Sequence, residues 1–310
     1  MTRIEIRDFR LKAEDVSWTG EALARPECVL CEPDGTLWIG DRRGAFTRRD
    51  PDGTQTLLGA MGPLPNGMAM DREGRLLVAN LETGVLFRVE RDGRETAVLD
   101  EAEGQPLGSL NFAYFDPAGR AWLTISTRTV PRKLALDEPR ADGLLLRLHR
   151  DGEAEVVARD FFFANEVRVD RAGAWLYIAE TTAGRIRRAP LSAEGALGAF
   201  EPFGPDPLWP GARTDGIAFD CEGNLWATEI SRNALVVLTP DGEPITVWQD
   251  AEGALLRHPT SVAFGGPDLR TVYVGSLVME RLFTFRSPIA GEPMYHWRAR
   301  ARPPDAKENR

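Results

Sequence analysis

Six positions along the chain share a residue type and a spacing that could do chemistry. Eight residues before the turn glycines Gly35, Gly74, Gly119, Gly173 and Gly223 stand Glu27, Asn66, Asn111, Asn165 and Asp215. Aligning "SVAF" with "GMAM" puts Thr260 in a sixth equivalent place. Every one of the six carries a side-chain oxygen. Two carboxylates and three carboxamides gathered round one point would repel or lie unpaired unless a cation sat among them. Oxygen-only ligation favours a hard divalent ion, Ca²⁺ ahead of Mg²⁺ and Mn²⁺. Zn²⁺ ranks behind them because it more often recruits His or Cys. Capping of their own turns explains one or two such Asn and Asp residues. It explains neither Glu27 nor the agreement across six units. Asn66 is expected to line the site without touching the ion.

The elements that must position these residues repeat. "ECVLCEPDGTLWIGD", "NGMAMDREGRLLVAN", "NFAYFDPAGRAWLTI", "NEVRVDRAGAWLYIAE" and "DGIAFDCEGNLWATE" each read as strand, glycine turn and strand. "TSVAFGGPDLRTVYVG" is a sixth with a longer turn, and the six starts lie 39, 45, 54, 50 and 45 residues apart. Second hairpins such as "GVLFRVERDGRETAVL" fill the intervals. Four strands per unit at this period predict a single all-β domain, a six-bladed β-propeller of four-stranded antiparallel blades. The first strand of each blade lines the central channel, so the six oxygen-bearing residues should converge at one mouth. "IEIRDFRL" is expected to supply the outermost strand of the last blade and so leave no open edge. Residues 301–310 are expected to form a short disordered tail.

Bulk properties set limits on partners. A net charge of -9 argues against nucleic acid, which wants a basic face. No apolar run is long enough to cross a bilayer, and "MTRIEIRDFR" lacks the apolar core of a secretory signal. The three cysteines do not make a disulfide framework, so a cytoplasmic protein is expected. Cys28 and Cys31 lie on a strand that points them to opposite faces, as buried thiols rather than a redox or zinc pair.

The motif "HPTSVAFGGPDLRTVYVG" at 258–275, with "NEVRVDRAGAWLYIAET" and "TDGIAFDCEGNLWATE", resembles the senescence marker protein (regucalcin)/gluconolactonase family of six-bladed propellers. Where that family has Glu followed by Gly-Pro, this chain has Glu27-Cys28-Val29, and "RPECVLCEPDGTLWIGD" leans toward the strictosidine-synthase-like branch. The resemblance implies metal ligation by Glu27, Asn165 and Asp215, with Asn111 on the substrate side.

The implied reaction is metal-dependent hydrolysis of a lactone or related ester. A bound cation can polarise the carbonyl and lower the pKa of water. Asp215 would also take a proton, and Asn111 and Asn66 could steady an oxyanion or orient hydroxyls. Strictosidine-synthase-like or phosphotriesterase chemistry, and a non-enzymatic metal- or ligand-binding scaffold, are the alternatives. No G-x-S-x-G occurs, and the histidines are His149, His258 and His296. His258, two residues before Thr260, could reach substrate. Asp41, Asn80, Glu180 and Glu229 end the second strands at the same mouth, as candidate partners of the ligands. The segment 126–143, with Arg128, Arg132 and Lys133, could form a lid that attracts a carboxylated or sugar-acid substrate. Phe161, Phe162, Phe163 and Trp209 are candidates to wall the entrance.

Overall fold

The computed structural model describes residues 5–299, so the expected tail at 301–310 lies outside the described residues. Six four-stranded antiparallel sheets follow one another along the chain. Five of them run outward in sequence order, as in Pro65–Met70, Leu76–Asn80, Leu86–Val89 and Glu95–Leu99, and the sixth takes its outermost strand from an earlier segment. The innermost strands neighbour one another in a closed ring, with Val29–Cys31 between Pro65–Met70 and Pro259–Gly265. The architecture is the predicted six-bladed propeller. Two five-residue α-helices, Lys133–Asp137 and Tyr295–Ala299, accompany it.

Sequence dictates the radial order through burial. Innermost strands such as Thr214–Phe219 are buried at every position, whereas the outer strand Gln55–Leu58 alternates between exposed and half-buried residues. Between the first and second strands an acidic residue organises the turn. Asp220 accepts bonds from the amides of Glu222 and Asn224 and from Trp226 Nε1. Asp116 with Trp122, and Glu32 with Trp38, repeat the tryptophan bond at 2.9 and 2.8 Å. The acid therefore fixes the turn and satisfies the one polar atom of a fully buried tryptophan.

Ring closure differs from expectation. Ser17–Thr19, not the earlier segment, pairs with Leu282–Arg286 as the outermost strand of blade six, and Trp18 meets Phe283 edge-on at 5.9 Å. Within "IEIRDFRL", residues Ile6–Asp8 make a 3₁₀ turn. Ile6 and Leu11 are buried in an apolar cluster with Leu235, Val247 and Phe285, which fixes the segment across blades five and six. The alternation that suggested a strand records this docking.

At the end of the channel opposite the predicted site, Tyr295–Ala299 closes the base. His296 and Trp297 Nε1 both bond the Cys31 carbonyl, at 2.9 and 2.7 Å. Cys28 and Cys31 are buried and unpaired, and burial raises both thiol pKa values, that of Cys31 to about 12. Both border the channel cavity, but they pack in different apolar clusters, Cys28 with Met68 and Phe112 and Cys31 with Val29, Leu37 and Leu282.

The innermost strands approach closely enough to dictate glycine at two places. A Cβ on Gly216 would lie 2.2 Å from the Thr260 carbonyl and 2.6 Å from Ser261 Cα. On Gly67 it would meet Phe112 Cδ2 at 2.2 Å. Gly216→Ala should therefore destabilise the fold by about 1–3 kcal/mol, as overpacking against backbone does. The check is a lower denaturant midpoint at unchanged slope.

Candidate active site at the channel mouth

The six oxygen-bearing residues do not sit in regular strand. Pairing with the second strand slips between Pro65 and Met68, Leu110 and Phe112, Ala164 and Val167, Thr214 and Ile217, and Pro259 and Val262. Each slip contains one of Asn66, Asn111, Asn165, Asp215 and Thr260. A bulge opposes two residues to one and re-aims the extra side chain. In the first unit Glu27 stands just before Val29–Cys31, turned by a tight bond from its amide to the Arg25 carbonyl at 2.7 Å. All six side chains are buried.

The structure joins them into a network. Asn66 Nδ2 donates to the carbonyl of Asn111 at 3.1 Å and to Asn111 Oδ1 at 3.2 Å. Asn111 Nδ2 donates to Ser126 Oγ at 2.9 Å, and Ser126 donates to the Ala164 carbonyl at 3.0 Å. Asn165 Nδ2 donates to Thr181 Oγ1 at 3.1 Å. Thr260 Oγ1 donates to the Glu27 carbonyl at 2.7 Å, so this hydroxyl braces the Glu27 backbone. Glu27 is ion-paired with Arg25 and accepts a hydrogen bond from Asn66, yet burial keeps its carboxyl pKa raised. Asp215 is raised further, by burial first and then by the charges of Glu27 and Glu166, against a bond from Asn165. Glu27 and Asp215 thus share one electrostatic space. His258 differs: it is exposed at the rim, and its amide bonds Asn233 Oδ1 at 2.8 Å.

Glu166 and Arg168 are part of this centre and escaped the sequence reading. The bulge at Asn165 turns Glu166 into the channel as well. Glu166 Oε2 accepts from Arg168 at 2.7 Å and from the Ile217 amide at 3.2 Å. Burial lifts its pKa to about 7 despite Arg168. Arg168 stacks over Phe112 and Tyr114 at 4.8 and 5.2 Å, below the ring. The available signal was comparative. One residue after each ring position stand Cys28, Gly67, Phe112, Glu166, Gly216 and Ser261, and Glu166 alone is charged.

The second-strand ends act one step removed from the ring. Asp41 accepts from the Ala24 amide, Asn80 donates to the Met61 carbonyl, and Glu180 and Glu229 accept from the amides of Phe162 and Arg213. Each clamps the backbone that leads into Glu27, Asn66, Asn165 or Asp215. None of the four bonds a ring side chain directly, so the expected contacts to the ligands are replaced by control of their approach.

The segment 126–143 crosses the mouth. Arg132 pairs with Glu82 of blade two at 2.6 Å, and Arg213 of blade five donates to the Leu136 carbonyl at 3.3 Å. Beneath it lies a cleft of about 660 Å³ lined by Glu82, Asp100, Ser109, Arg132 and Leu136. Lys133 pairs with Asp137 on the exposed face, and Arg128 donates to the Ala102 carbonyl. Phe161 is core, packed edge-on against Phe200 at 5.1 Å, while Trp209 lies under Arg232 at 4.6 Å.

Glu27 Oε2 faces the Arg25 guanidinium in its ion pair, whereas Asn66 Oδ1 is buried with no hydrogen-bond donor. Such an orphaned acceptor in an all-oxygen set suits a hard cation. Among the described residues no three His, Cys, Asp or Glu are arranged to hold a metal, so a cation here must draw on asparagine oxygen too.

The family model described as SMP-30/Gluconolactonase/LRE-like region matches residues 26–278. A 6-deoxy-6-sulfogluconolactonase of Pseudomonas putida is 30% identical over 243 residues, 77% of this chain and 78% of that protein. A pentonolactonase of Haloferax volcanii is 29% identical over 239 residues, 76% of this chain and 75% of its own. The fold also matches the crystal structure of a calcium-binding protein, regucalcin, from Agrobacterium tumefaciens, with a TM-score of 0.72 and 21% identity. The match covers 89% of this chain and 95% of that one.

The buried Glu166–Arg168 pair makes a sharp prediction. Arg168→Met leaves Glu166 without its cation and should cost about 3–5 kcal/mol, whereas adding Glu166→Leu should recover most of the loss. Denaturant unfolding of the single and double variants checks this; equal losses in both would remove the pair from the account.

Proposed function

This chain belongs to the SMP-30/gluconolactonase/LRE-like family, and we propose that it hydrolyses a lactone of a sugar acid, with a divalent cation at the channel mouth. The observation that carries this reading is the burial of Glu27 and Asp215 in one electrostatic space among asparagines, with the Asn66 carboxamide oxygen unpartnered, under a segment that crosses the mouth. Two relatives named for lactone hydrolysis support the substrate class. The solved relative titled a calcium-binding protein supports a hard cation, Ca²⁺ first among Ca²⁺, Mg²⁺, Mn²⁺ and Zn²⁺. Glu27, Asn165 and Asp215 would hold it. The bound cation supplies polarisation of the ester carbonyl and a water of lowered pKa.

The chain's own residues do the rest. A carboxylate oxygen of Asp215 takes the proton of the attacking water as oxygen bonds to the carbonyl carbon. The tetrahedral oxyanion meets the Asn111 amide, which retains one hydrogen beyond its bond to Ser126. When the ring C–O bond breaks, Asp215 returns the proton to the departing alkoxide, and a hydroxy acid leaves. Asn66, held by Asn111, and Thr260, fixed on the Glu27 backbone, orient substrate hydroxyls from below, and His258 does so from the rim. The crossing segment excludes water from the far side of the ring. The cysteines are unpaired, which supports a cytoplasmic setting, and no helix among the described residues is long and apolar enough to cross a membrane.

A panel of lactones on metal-stripped protein, with each divalent ion restored in turn, is the direct test. Asp215→Asn should weaken metal binding and cut kcat by about 10²–10⁴-fold even at saturating metal. Asn66→Ala should retain metal binding and raise KM. Wild-type turnover by Asp215→Asn would place the chemistry elsewhere.

A further inference from the structure

Two residues before each ring position comes a second set: Arg25, Leu64, Ser109, Phe163, Arg213 and His258. Four of them hold left-handed backbone, with φ of 54° at Arg25, 61° at Leu64, 59° at Phe163 and 46° at His258. Non-glycine residues adopt this region at a cost, and such strain gathers at functional sites. Around the mouth the set divides in two. Blades two, three and four contribute Leu64, Ser109 and Phe163, which are neutral. Blades five, six and one, which are consecutive in the closed ring, contribute Arg213, His258 and Arg25.

On this arc, among the described residues, Arg213 has no carboxylate partner, and that of Arg25 is a ring residue. Most other cations of the mouth have carboxylate partners: Arg132 with Glu82, Lys133 with Asp137, Arg43 with Asp41, and Arg185 with Asp206 and Glu180; Arg128, over blade three, bonds only the Ala102 carbonyl. Arg213 is half-buried and bonds a carbonyl, and no carboxylate pairs with it among the described residues. Arg25 pairs with Glu27, and its side chain is only 13% exposed. Glu27 is also the carboxylate assigned to the cation in the reading above. With Glu27 and Asp215 both balancing a dication, Arg25 becomes a second uncompensated guanidinium.

We propose, resting on that reading, that the substrate is an anionic lactone. Its carboxylate, or another fixed anion remote from the lactone carbonyl, is seated between Arg213 and Arg25. Guanidinium groups suit this task because their planar donors bind such anions in pairs. The neutral arc of Leu64, Ser109 and Phe163 receives the uncharged side of the ring. Arg25 and Arg213 are therefore specificity residues, and the order of groups around the mouth sets which end of the molecule faces which blade.

The experiment compares a neutral aldonolactone with its counterpart in which the terminal hydroxymethyl is a carboxylate, and with a terminal sulfonate, on metal-restored protein. Wild type should favour the anionic lactones by about ten-fold or more in kcat/KM, mainly through KM, as one charge-assisted bond allows. The advantage should shrink as salt rises. Arg213→Gln should lower the ratio of anionic to neutral kcat/KM by at least about five-fold, with Arg213→Lys between the two. Calorimetric titration with the open-chain hydroxy diacid and hydroxy monoacid reads the same preference without turnover. A wild type that prefers the neutral lactone, or an Arg213→Gln variant with an unchanged ratio, overturns the inference and leaves lactone hydrolysis standing. If no lactone is hydrolysed, the titration decides: tighter diacid binding that Arg213→Gln weakens upholds the anion seat, and equal binding ends it.

Discussion

Three carboxylates crowd one desolvated space at the channel mouth, and most of what surrounds them answers that crowding. Glu27, Glu166 and Asp215 are each lifted by burial, and Asp215 also feels the charges of the other two. An isolated buried carboxylate is costly unless it is paired, hydrogen-bonded or bound to metal. The chain gives Glu166 a guanidinium and a backbone amide. It gives Glu27 a neighbouring arginine and an asparagine amide, and Asp215 an asparagine. What remains uncompensated lies between Glu27 and Asp215. That residue of negative charge is the chemical reason to look for a cation there.

Carrying such charges on a sheet requires the sheet to break its own rule. In a regular strand, neighbouring residues point to opposite faces, so Asn165 and Glu166 could not both face the channel. The bulge permits it, and five blades use the same device. The cost falls on the next layer, where six inner strands converge and volume is short. Phe112 fits because Gly67 lies opposite, and Thr260 and Ser261 close against Gly216. Small and large residues alternate around the ring for this reason. The asparagine chain from Asn66 through Asn111 and Ser126 to the Ala164 carbonyl then locks the rotamers above that layer.

Repetition made the fold and the ring legible in the sequence, because a feature shared by six units separates from one that is local. The acid and glycine of the first hairpins, with a tryptophan in four of the six, mark the turn, and counting back from the glycine finds the ring residue. Features that occur once were hidden. Glu166 and Arg168 read as the outward face of an alternating strand until the bulge reversed them. The closing strand Ser17–Thr19 is three residues long and carries little pattern, while the apolar spacing of Ile6, Phe9 and Leu11 imitates a strand. The second-strand carboxylates were correctly placed at the mouth, but spacing alone could not tell that they bind backbone. Among the lid cations, Arg132 and Lys133 both border the cleft, but Arg132 is largely covered whereas Lys133 is mostly exposed to solvent. That difference depends on a short helix with no capping side chain to announce it.

The clamps on the approach segments also bear on how the mouth can vary without losing its centre. Asp41, Asn80, Glu180 and Glu229 hold the backbone two to five residues ahead of the ring, so the ring side chains inherit their positions from bonds outside the reacting space. Between clamp and ring lies one left-handed residue in blades one, two and four. Its side chain lies outside the sheet register, half-buried at Leu64, buried at Phe163 and ion-paired with Glu27 at Arg25. A substitution at Leu64 changes what the mouth presents while the ring backbone stays clamped. Charge at Arg213, and its absence at Leu64, can therefore be altered with the ring carboxylates left in place, whereas Arg25 is tied to Glu27 by an ion pair. In the proposed function, the propeller separates the choice of lactone from the means of opening it, with the first in the approach turns and the second at the ring positions.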